Sequence, residues 1–309
     1  MEIKSIIKKY KYNKELSSFL KRLYPLLVDF FKDENLIYNA LDNCEIIMCG
    51  DISEYARKDP SLYESLSLSD NIDLCGVYVS EPFVKYDKKS RTFKVDYIDR
   101  SILINGSDLY YDEVKAVLVH EICHLIKSYN HEFEVRNDVL THRSGFLRTI
   151  SIIKKEEGYC SDESSFSNGM GLEEGLNVYT EKLLCEKLGI YREVEDEYLI
   201  VYEMAKSLMM FPSENIQDII IKAQIYHDNT LIDKKLGIGF YKLQDFSDEV
   251  YFKTFELINN ASNYDEKNHI FKEMCEYVEA NYKGIIESMH SHARKRSNIN
   301  ARDARSSNS

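Results

Sequence analysis

The sequence predicts an α+β protein in which a small mixed β-sheet lies over two helices, flanked by N-terminal and C-terminal helices. Apolar residues recur at helical spacing up to about residue 42 and again in most of the chain after residue 186. Between residues 74 and 104 they alternate with a period of two, which is typical of strands. Two further helical patterns, over residues 112–126 and 171–184, hold the residues that point to a function.

The individual elements follow from these periods and from the turn residues between them. Residues 44–49 predict a short strand, and the period-two region predicts four more, over 75–79, 83–86, 92–97 and 101–104, with a turn at 87–90. Residues 139–153 predict a hairpin in which His142 is a surface residue and no metal ligand. Helices are predicted over 198–210, 215–226, 248–259 and 267–289.

The helix over residues 112–126 contains the string His120-Glu121-Ile122-Cys123-His124. Residues four apart lie above one another on a helix, so both imidazoles can reach one ion. Glu121 is turned about 100° away and can take a proton from water without being a ligand. This string on a helix is typical of zinc hydrolases. Two exposed histidines beside an incidental Glu remain the alternative, and a third ligand separates the two interpretations.

The third ligand is expected in the helix over residues 171–184. Its string E-E-G-L-N-V-Y-T-E resembles the N-E-G-[FL]-x-x-Y-x-E string of gluzincin metallopeptidases, in which the Glu before the Gly binds the metal. The resemblance implies one Zn²⁺ per chain held by His120, His124 and Glu174, with the fourth position open. It also implies a zincin-like domain around the two helices. Glu173 is the alternative ligand.

The chain departs from the better-known gluzincins in several ways. The interval between His124 and Glu174 is longer than in the thermolysin and aminopeptidase groups, and is closer to toxin-type gluzincins and uncharacterised Firmicute proteins. Val178 stands where thermolysin-like enzymes have an Asp that orients a zinc histidine. Asn177 or Glu181 must replace it. We favour Glu181, because seven residues along a helix lead back to the face of Glu174.

The residue that would stabilise an oxyanion is not evident in the sequence. The toxin-type enzymes have a Tyr about two turns before the ligand Glu, and that place here falls at Phe166-Ser167. Tyr159, Tyr202 and His227 are distant alternatives, and an ordinary structural role is the simpler interpretation of each.

The patterns divide the chain into four segments. These are an N-terminal helical region (1–70), a zincin-like catalytic domain (71–190), a C-terminal helical subdomain (191–290) and a disordered basic tail (291–309). In zincin domains an extended peptide binds by strand addition at the cleft edge. We expect residues 101–104 to form the strand near that cleft.

Composition excludes several classes of protein. The net charge of −12 becomes −16 when the basic tail is left out, and such an acidic body argues against nucleic-acid binding. No stretch has the length of a membrane span, and the first residues lack the apolar core of a signal peptide. Seven scattered Cys without a C-x-x-C pair fit a reducing cytoplasm. Cys123 is expected to be a buried packing residue.

Two functions are compatible with these observations. The first is a zinc-dependent peptidase, an endopeptidase acting on a peptide or protein substrate, with Glu121 as general base. The second is a catalytically silent zincin-fold module that binds a peptide or protein partner, as the missing Tyr and the missing Asp would suggest. The intact Glu121 favours the enzyme.

Overall fold

The computed structural model describes residues 3–58, 75–106, 109–136, 138–154, 159–194 and 196–306. In this part the chain has eleven α-helices and seven β-strands, which confirms the predicted α+β class. The chain forms two compact units, whereas four consecutive segments are predicted from the sequence. The first unit comprises residues 1–144, 150–165 and 180–193, and the second comprises residues 145–149, 166–179 and 194–309.

The region up to residue 42 is helical, as predicted, and consists of three helices: α1 (Lys4–Lys9), α2 (Lys14–Phe31) and α3 (Glu34–Asp42). The side chains of Asn13 and Asp33 cap α2 and α3 by accepting hydrogen bonds from the N–H groups of Leu16 and Leu36. The apolar face predicted for α2 is buried except for Phe30, which is half-buried; the buried members are Leu16, Phe19, Leu20, Leu23 and Leu27.

A three-stranded mixed sheet follows, formed by β1 (Glu45–Cys49), β2 (Gly76–Asp87) and β3 (Thr92–Asn105). The short helix α4 (Ile52–Ala56) comes after β1. Strand β3 lies in the centre, parallel to β1 and antiparallel to β2. The mixed sheet and the turn after Asp87 are confirmed. The four strands predicted over 75–104 are, however, two long strands with one irregularity between Phe83 and Val84.

Residues 101–104, predicted to form a strand near the cleft, do not lie at an edge of their sheet. They belong to the central strand, where Ile102, Leu103 and Ile104 are fully buried. A central strand has neighbours on both sides, so its main chain has no free edge for a peptide. The two end strands of this sheet are β1 and β2, and each lies next to β3.

The helix that contains the two histidines, α5 (Asp112–Ser128), lies in the core of the first unit. Of the apolar stripe predicted for this helix, Val114 is half-buried and the rest is buried, namely Val117, Leu118, Ile122, Leu125 and Ile126. Ala116, Val119 and Cys123 are buried as well. Burial therefore extends around most of the helix. The two imidazoles remain half-buried.

A second sheet has four strands in sequence order: β4 (Phe133–Arg136), β5 (Val139–Ser144), β6 (Leu147–Lys154) and β7 (Tyr159–Asn168). The hairpin predicted over 139–153 is thus confirmed as β5 and β6. His142 is more enclosed than a surface residue, because its ring is stacked on Phe133 at 4.7 Å between centroids.

The helix α6 (Met170–Leu188) begins in the second unit and ends in the first. From residue 196 onward the second unit is helical, as predicted, with α7 (Asp196–Met209), α8 (Ile216–Tyr226), α9 (Thr230–Lys235), α10 (Ile238–Asn260) and α11 (Tyr264–Ser306). Helix α9 was not predicted, and α10 and α11 are longer than predicted.

The helix α11 continues to Ser306, so the prediction of a disordered tail from residue 291 is not borne out over 291–306. The sequence has neither Gly nor Pro after Gly284, and nothing in its local chemistry therefore ends the helix earlier. In the described part of the chain, no helix combines the length and apolar character needed to cross a membrane.

Candidate metal centre

Helix α5 presents both imidazoles of the His-Glu-x-x-His string on the same side. The Nε2 atoms of His120 and His124 lie 3.2 Å apart. Two nitrogens bound tetrahedrally to one zinc ion, each at about 2.0–2.1 Å, are about 3.3 Å from each other. The separation of the two ring nitrogens therefore fits a shared cation.

Glu174 on α6 is the third residue that the structure brings to this place. One ligand atom each from His120, His124 and Glu174 lies within 4.8 Å of the others, and all three residues are half-buried. Two imidazoles and one carboxylate suit Zn²⁺ in a site with an open position. The same donors also suit Fe²⁺, so the donor set alone does not identify the metal.

The start of α6, the helix that contains Glu174, is bonded to an acidic side chain of α10. The carboxylate of Asp248 accepts hydrogen bonds from the N–H groups of Gly169, at 2.6 Å, and Gly171, at 2.8 Å. A negative charge at a helix N-terminus is stabilised by the unpaired N–H groups there. Burial raises the pKa of Asp248, and the two N–H donors oppose that rise. The Gly of the E-E-G-L string, Gly175, packs where a Cβ would overlap the carbonyl oxygen of Val201.

The neighbouring Glu173 has a different environment. It is fully buried, and its Oε2 accepts hydrogen bonds from the N–H of Phe146 and from Nε2 of Gln224, both at 2.8 Å. Glu173 thus ties α6 to α8 and to the turn before β6. Of the two acidic residues that the sequence offered as ligand, the structure brings Glu174 to the histidines.

Glu181 lies on the same helix, in the part that belongs to the first unit, and contacts His120. Its Oε2 is 3.1 Å from Nδ1 of His120, and its Oε1 is 3.4 Å from Nη1 of Arg192. A carboxylate can only accept, so we assign the ring proton of His120 to Nδ1. Its Nε2 then offers a lone pair toward His124. The predicted contact of Glu181 with a histidine of the string is confirmed.

Glu121 is buried and hydrogen-bonded to the edge strand. Its Oε2 accepts a hydrogen bond from the N–H of Tyr78 in β2 at 2.7 Å. Strand and helix come this close because Gly76 has no side chain: a Cβ there would overlap Cγ1 of Val117. Glu121 therefore has a fixed orientation beside the histidines without being part of the cluster of three ligand atoms.

The other residues considered in the sequence have varied positions. His227, at the C-terminal end of α8, has its Nδ1 3.1 Å from the carbonyl oxygen of Gly145. Tyr202 is buried, with its ring 6.5 Å from that of Tyr179. The side chain of Tyr159 lies outside the described part of the structure. An oxyanion stabiliser is not assigned among them.

Three contacts around the centre were not predicted: the Tyr78 amide on Glu121, Arg192 on Glu181, and Asp248 on the start of α6. Each contact joins residues from separate parts of the fold, and neither hydrophobic periodicity nor motif spacing predicts which distant residues come together. The Gly-x-Gly sequence at 169–171 predicts a loop, but it does not indicate that Asp248 accepts hydrogen bonds from the N–H groups of that loop.

Comparisons of the chain with protein-family models, with curated proteins and with solved structures give no match. The function of the chain is therefore inferred from the residues of the centre and their geometry.

Proposed function

We propose that the protein is a zinc-dependent metallopeptidase of gluzincin type that hydrolyses peptide bonds inside a peptide or protein substrate. The observation that carries the proposal is the convergence of His120, His124 and Glu174, with Glu121 fixed next to them. The hydrogen bond from His120 to Glu181 supports it, because metal-bound histidines usually donate their second ring N–H to an acceptor.

A zinc ion held by these three residues would act as a Lewis acid on the scissile carbonyl and make a water molecule more acidic. The chain's own residues would do the remaining work. Glu121 takes the proton of the attacking water and passes it to the leaving amine. Glu181 holds the imidazole of His120 in the tautomer that leaves Nε2 without a proton.

Metal content is the first test of the proposal. Purified protein is expected to hold about one zinc per chain by elemental analysis, and Glu174→Ala is expected to lose most of it. Glu173→Gln is the matched control, because the carboxylate of Glu173 is hydrogen-bonded to Phe146 and Gln224 instead of lying beside the histidines. Full zinc retention in Glu174→Ala would remove Glu174 from the ligand set. Stoichiometric iron in place of zinc would contradict the zinc assignment.

The second test separates chemistry from binding. Glu121→Gln is expected to keep its zinc and to lower cleavage by a factor on the order of one hundred or more, because the water loses its proton acceptor. The substrate pool is a diverse peptide library analysed by mass spectrometry, with a chelator-treated sample as control. Equal cleavage by wild type and Glu121→Gln would contradict the mechanism.

A catalytically silent zincin-fold module is the second candidate function. The hydrogen bond from the Tyr78 amide to Glu121 favours this second function, because one oxygen of the Glu121 carboxylate is already bonded within the fold. In that case the zinc-loaded protein would bind peptides without cleaving them, and Glu121→Gln would leave peptide affinity unchanged. Cleavage that depends on Glu121 excludes this function.

A further inference from the structure

We infer that Tyr78 is a positioning residue for Glu121, acting through both its main chain and its side chain. The main-chain N–H of Tyr78 holds the carboxylate of Glu121, and the phenol hydroxyl of Tyr78 fixes that N–H by bonding to a buried ion pair. The inference deepens the proposed function and rests on it, since Glu121 is the general base of that function.

The two hydrogen bonds of Tyr78 leave the same residue in different directions. Its N–H donates to Oε2 of Glu121 at 2.7 Å, and its hydroxyl donates to Oε1 of Glu132 at 2.7 Å. Both acceptors are carboxylates, and hydrogen bonds to charged groups are about twice as strong as those between neutral groups. A shift of Tyr78 relative to Glu121 and Glu132 would therefore weaken two strong bonds together.

The anchor on the side-chain end is buried and charged. Glu132 is almost fully buried, and its Oε2 accepts a hydrogen bond from Nε of Arg100 at 2.8 Å. The guanidinium of Arg100 also lies over the ring of Tyr129, at 4.8 Å from its centroid. Buried charges that are paired in this way resist movement, because separating them leaves an uncompensated charge in a medium of low polarity.

The phenol of Tyr78 is suited to a permanent donor role. Burial, together with the neighbouring charge of Glu132, raises its pKa well above the ordinary value. The hydroxyl therefore keeps its proton at neutral pH and continues to donate to Glu132. Tyr78 thus joins Glu121 to the ion pair of Glu132 and Arg100, and its hydroxyl stays protonated at neutral pH.

The sheet register explains why the amide is free to bind Glu121. Tyr78 pairs with Ile102 in the antiparallel ladder of β2 and β3, and its N–H donates to helix α5. In an antiparallel ladder, alternate residues direct their main-chain groups away from the partner strand. Gly76 lies two residues earlier on β2 and lets the strand approach α5 closely enough for this bond.

The test uses Tyr78→Phe, which removes only the hydroxyl, and compares it with Tyr86→Phe on the exposed part of the same strand. Hydrogen exchange of the residue-78 amide is measured by NMR on the zinc-loaded full-length protein. In Tyr78→Phe this amide is expected to exchange at least about tenfold faster than in wild type, and in Tyr86→Phe it is expected to be unchanged. An unchanged rate in Tyr78→Phe overturns the inference.

The kinetic constants of peptide cleavage distinguish positioning of Glu121 from a purely structural role of the Tyr78 hydroxyl, which would not change kcat. Tyr78→Phe is expected to lower kcat at least about fivefold, with KM and zinc content as in wild type. A raised KM with kcat unchanged, or a loss of zinc, would overturn the inference. If wild-type protein neither binds zinc nor cleaves peptides, the proposed function fails. The exchange rate of the Tyr78 amide still decides whether the hydroxyl fixes it.

Discussion

The Nδ1 atom of His120 and the Oε2 atom of Glu181 lie 3.1 Å apart, and Glu181 comes seven residues after Glu174 on the same helix. Helix α6 thus supplies both the third candidate ligand and a hydrogen-bond acceptor for His120, another candidate ligand. Two helical turns separate the two carboxylates, and on one helix face both can reach α5.

Glu181→Gln is expected to weaken zinc binding about 10-fold to 100-fold, because His120 loses the charged acceptor that fixes its ring. Zinc affinity is measured by competition with a chromogenic chelator. Glu186→Gln, an exposed change on the same helix, is the control and should leave affinity unchanged. Equal affinity of wild type and Glu181→Gln would show that the hydrogen bond does not support metal binding.

Much of this centre could be predicted because its parts are local. The His120 and His124 spacing, the helix around them and the seven-residue step to Glu181 depend only on helix geometry. The choice between Glu173 and Glu174 came from the position of the Gly in the motif. It agrees with the observation that Glu173 is bonded to Phe146 and Gln224 instead.

The buried Glu132 gives a prediction for the dependence of stability on pH. Burial alone would raise the pKa of Glu132, but His142, Arg100 and the hydroxyl of Tyr78 together hold it below its ordinary value. A carboxyl group whose pKa is lower in the folded state stabilises the fold above its unfolded-state pKa of about 4.3. This stabilisation is lost as the pH falls through the pKa of the folded state.

The free energy of unfolding is therefore expected to fall as the pH is lowered below about 4.3, and to fall less steeply in Glu132→Gln. At pH 7 the variant should be less stable by about 3–5 kcal/mol, because Arg100 is left without its charged partner. Urea unfolding at a series of pH values measures both effects. Glu134→Gln, a half-exposed neighbour, is the control. Parallel pH profiles of wild type and Glu132→Gln would contradict the assignment.

Strand order could not be predicted in the same way, because pairing joins residues far apart in sequence. Residues 101–104 were expected beside the cleft, and they form the centre of the sheet with β1 on one side and β2 on the other. The apolar run Ile102-Leu103-Ile104 was the available signal. An uninterrupted apolar run is typical of a strand that is buried on both faces. The link from Tyr78 to Glu121 depended on the same strand order.

Gly145 is expected to be essential for the position of Glu173. It has φ of +56°, and a Cβ there would overlap the carboxylate of Glu173. Gly145→Ala should lower the free energy of unfolding by about 2–4 kcal/mol, from the left-handed backbone and the overlap together. Gly189→Ala is a matched control, since Gly189 has φ of +72° with nothing within 4 Å of its Cβ position. Equal losses in both variants, measured by urea unfolding, would mean that Glu173 moves aside without cost.

Gly76→Ala tests whether the close approach of β2 to α5 matters for catalysis. The added methyl group would overlap Cγ1 of Val117 and come within 3.4 Å of Cγ of Glu121, so the strand must move away from the helix. The hydrogen bond from the Tyr78 amide to Glu121 then lengthens, while His120 and His124 keep their places on α5. We expect the free energy of unfolding to fall by about 1–3 kcal/mol and zinc content to stay near one per chain. Peptide cleavage should fall severalfold, through a lower kcat.

Gly50→Ala is the control for Gly76→Ala, because nothing lies within 4 Å of the Cβ position of Gly50. Cleavage at the wild-type rate by a stable, zinc-loaded Gly76→Ala protein would show that Glu121 does not depend on β2 for its orientation.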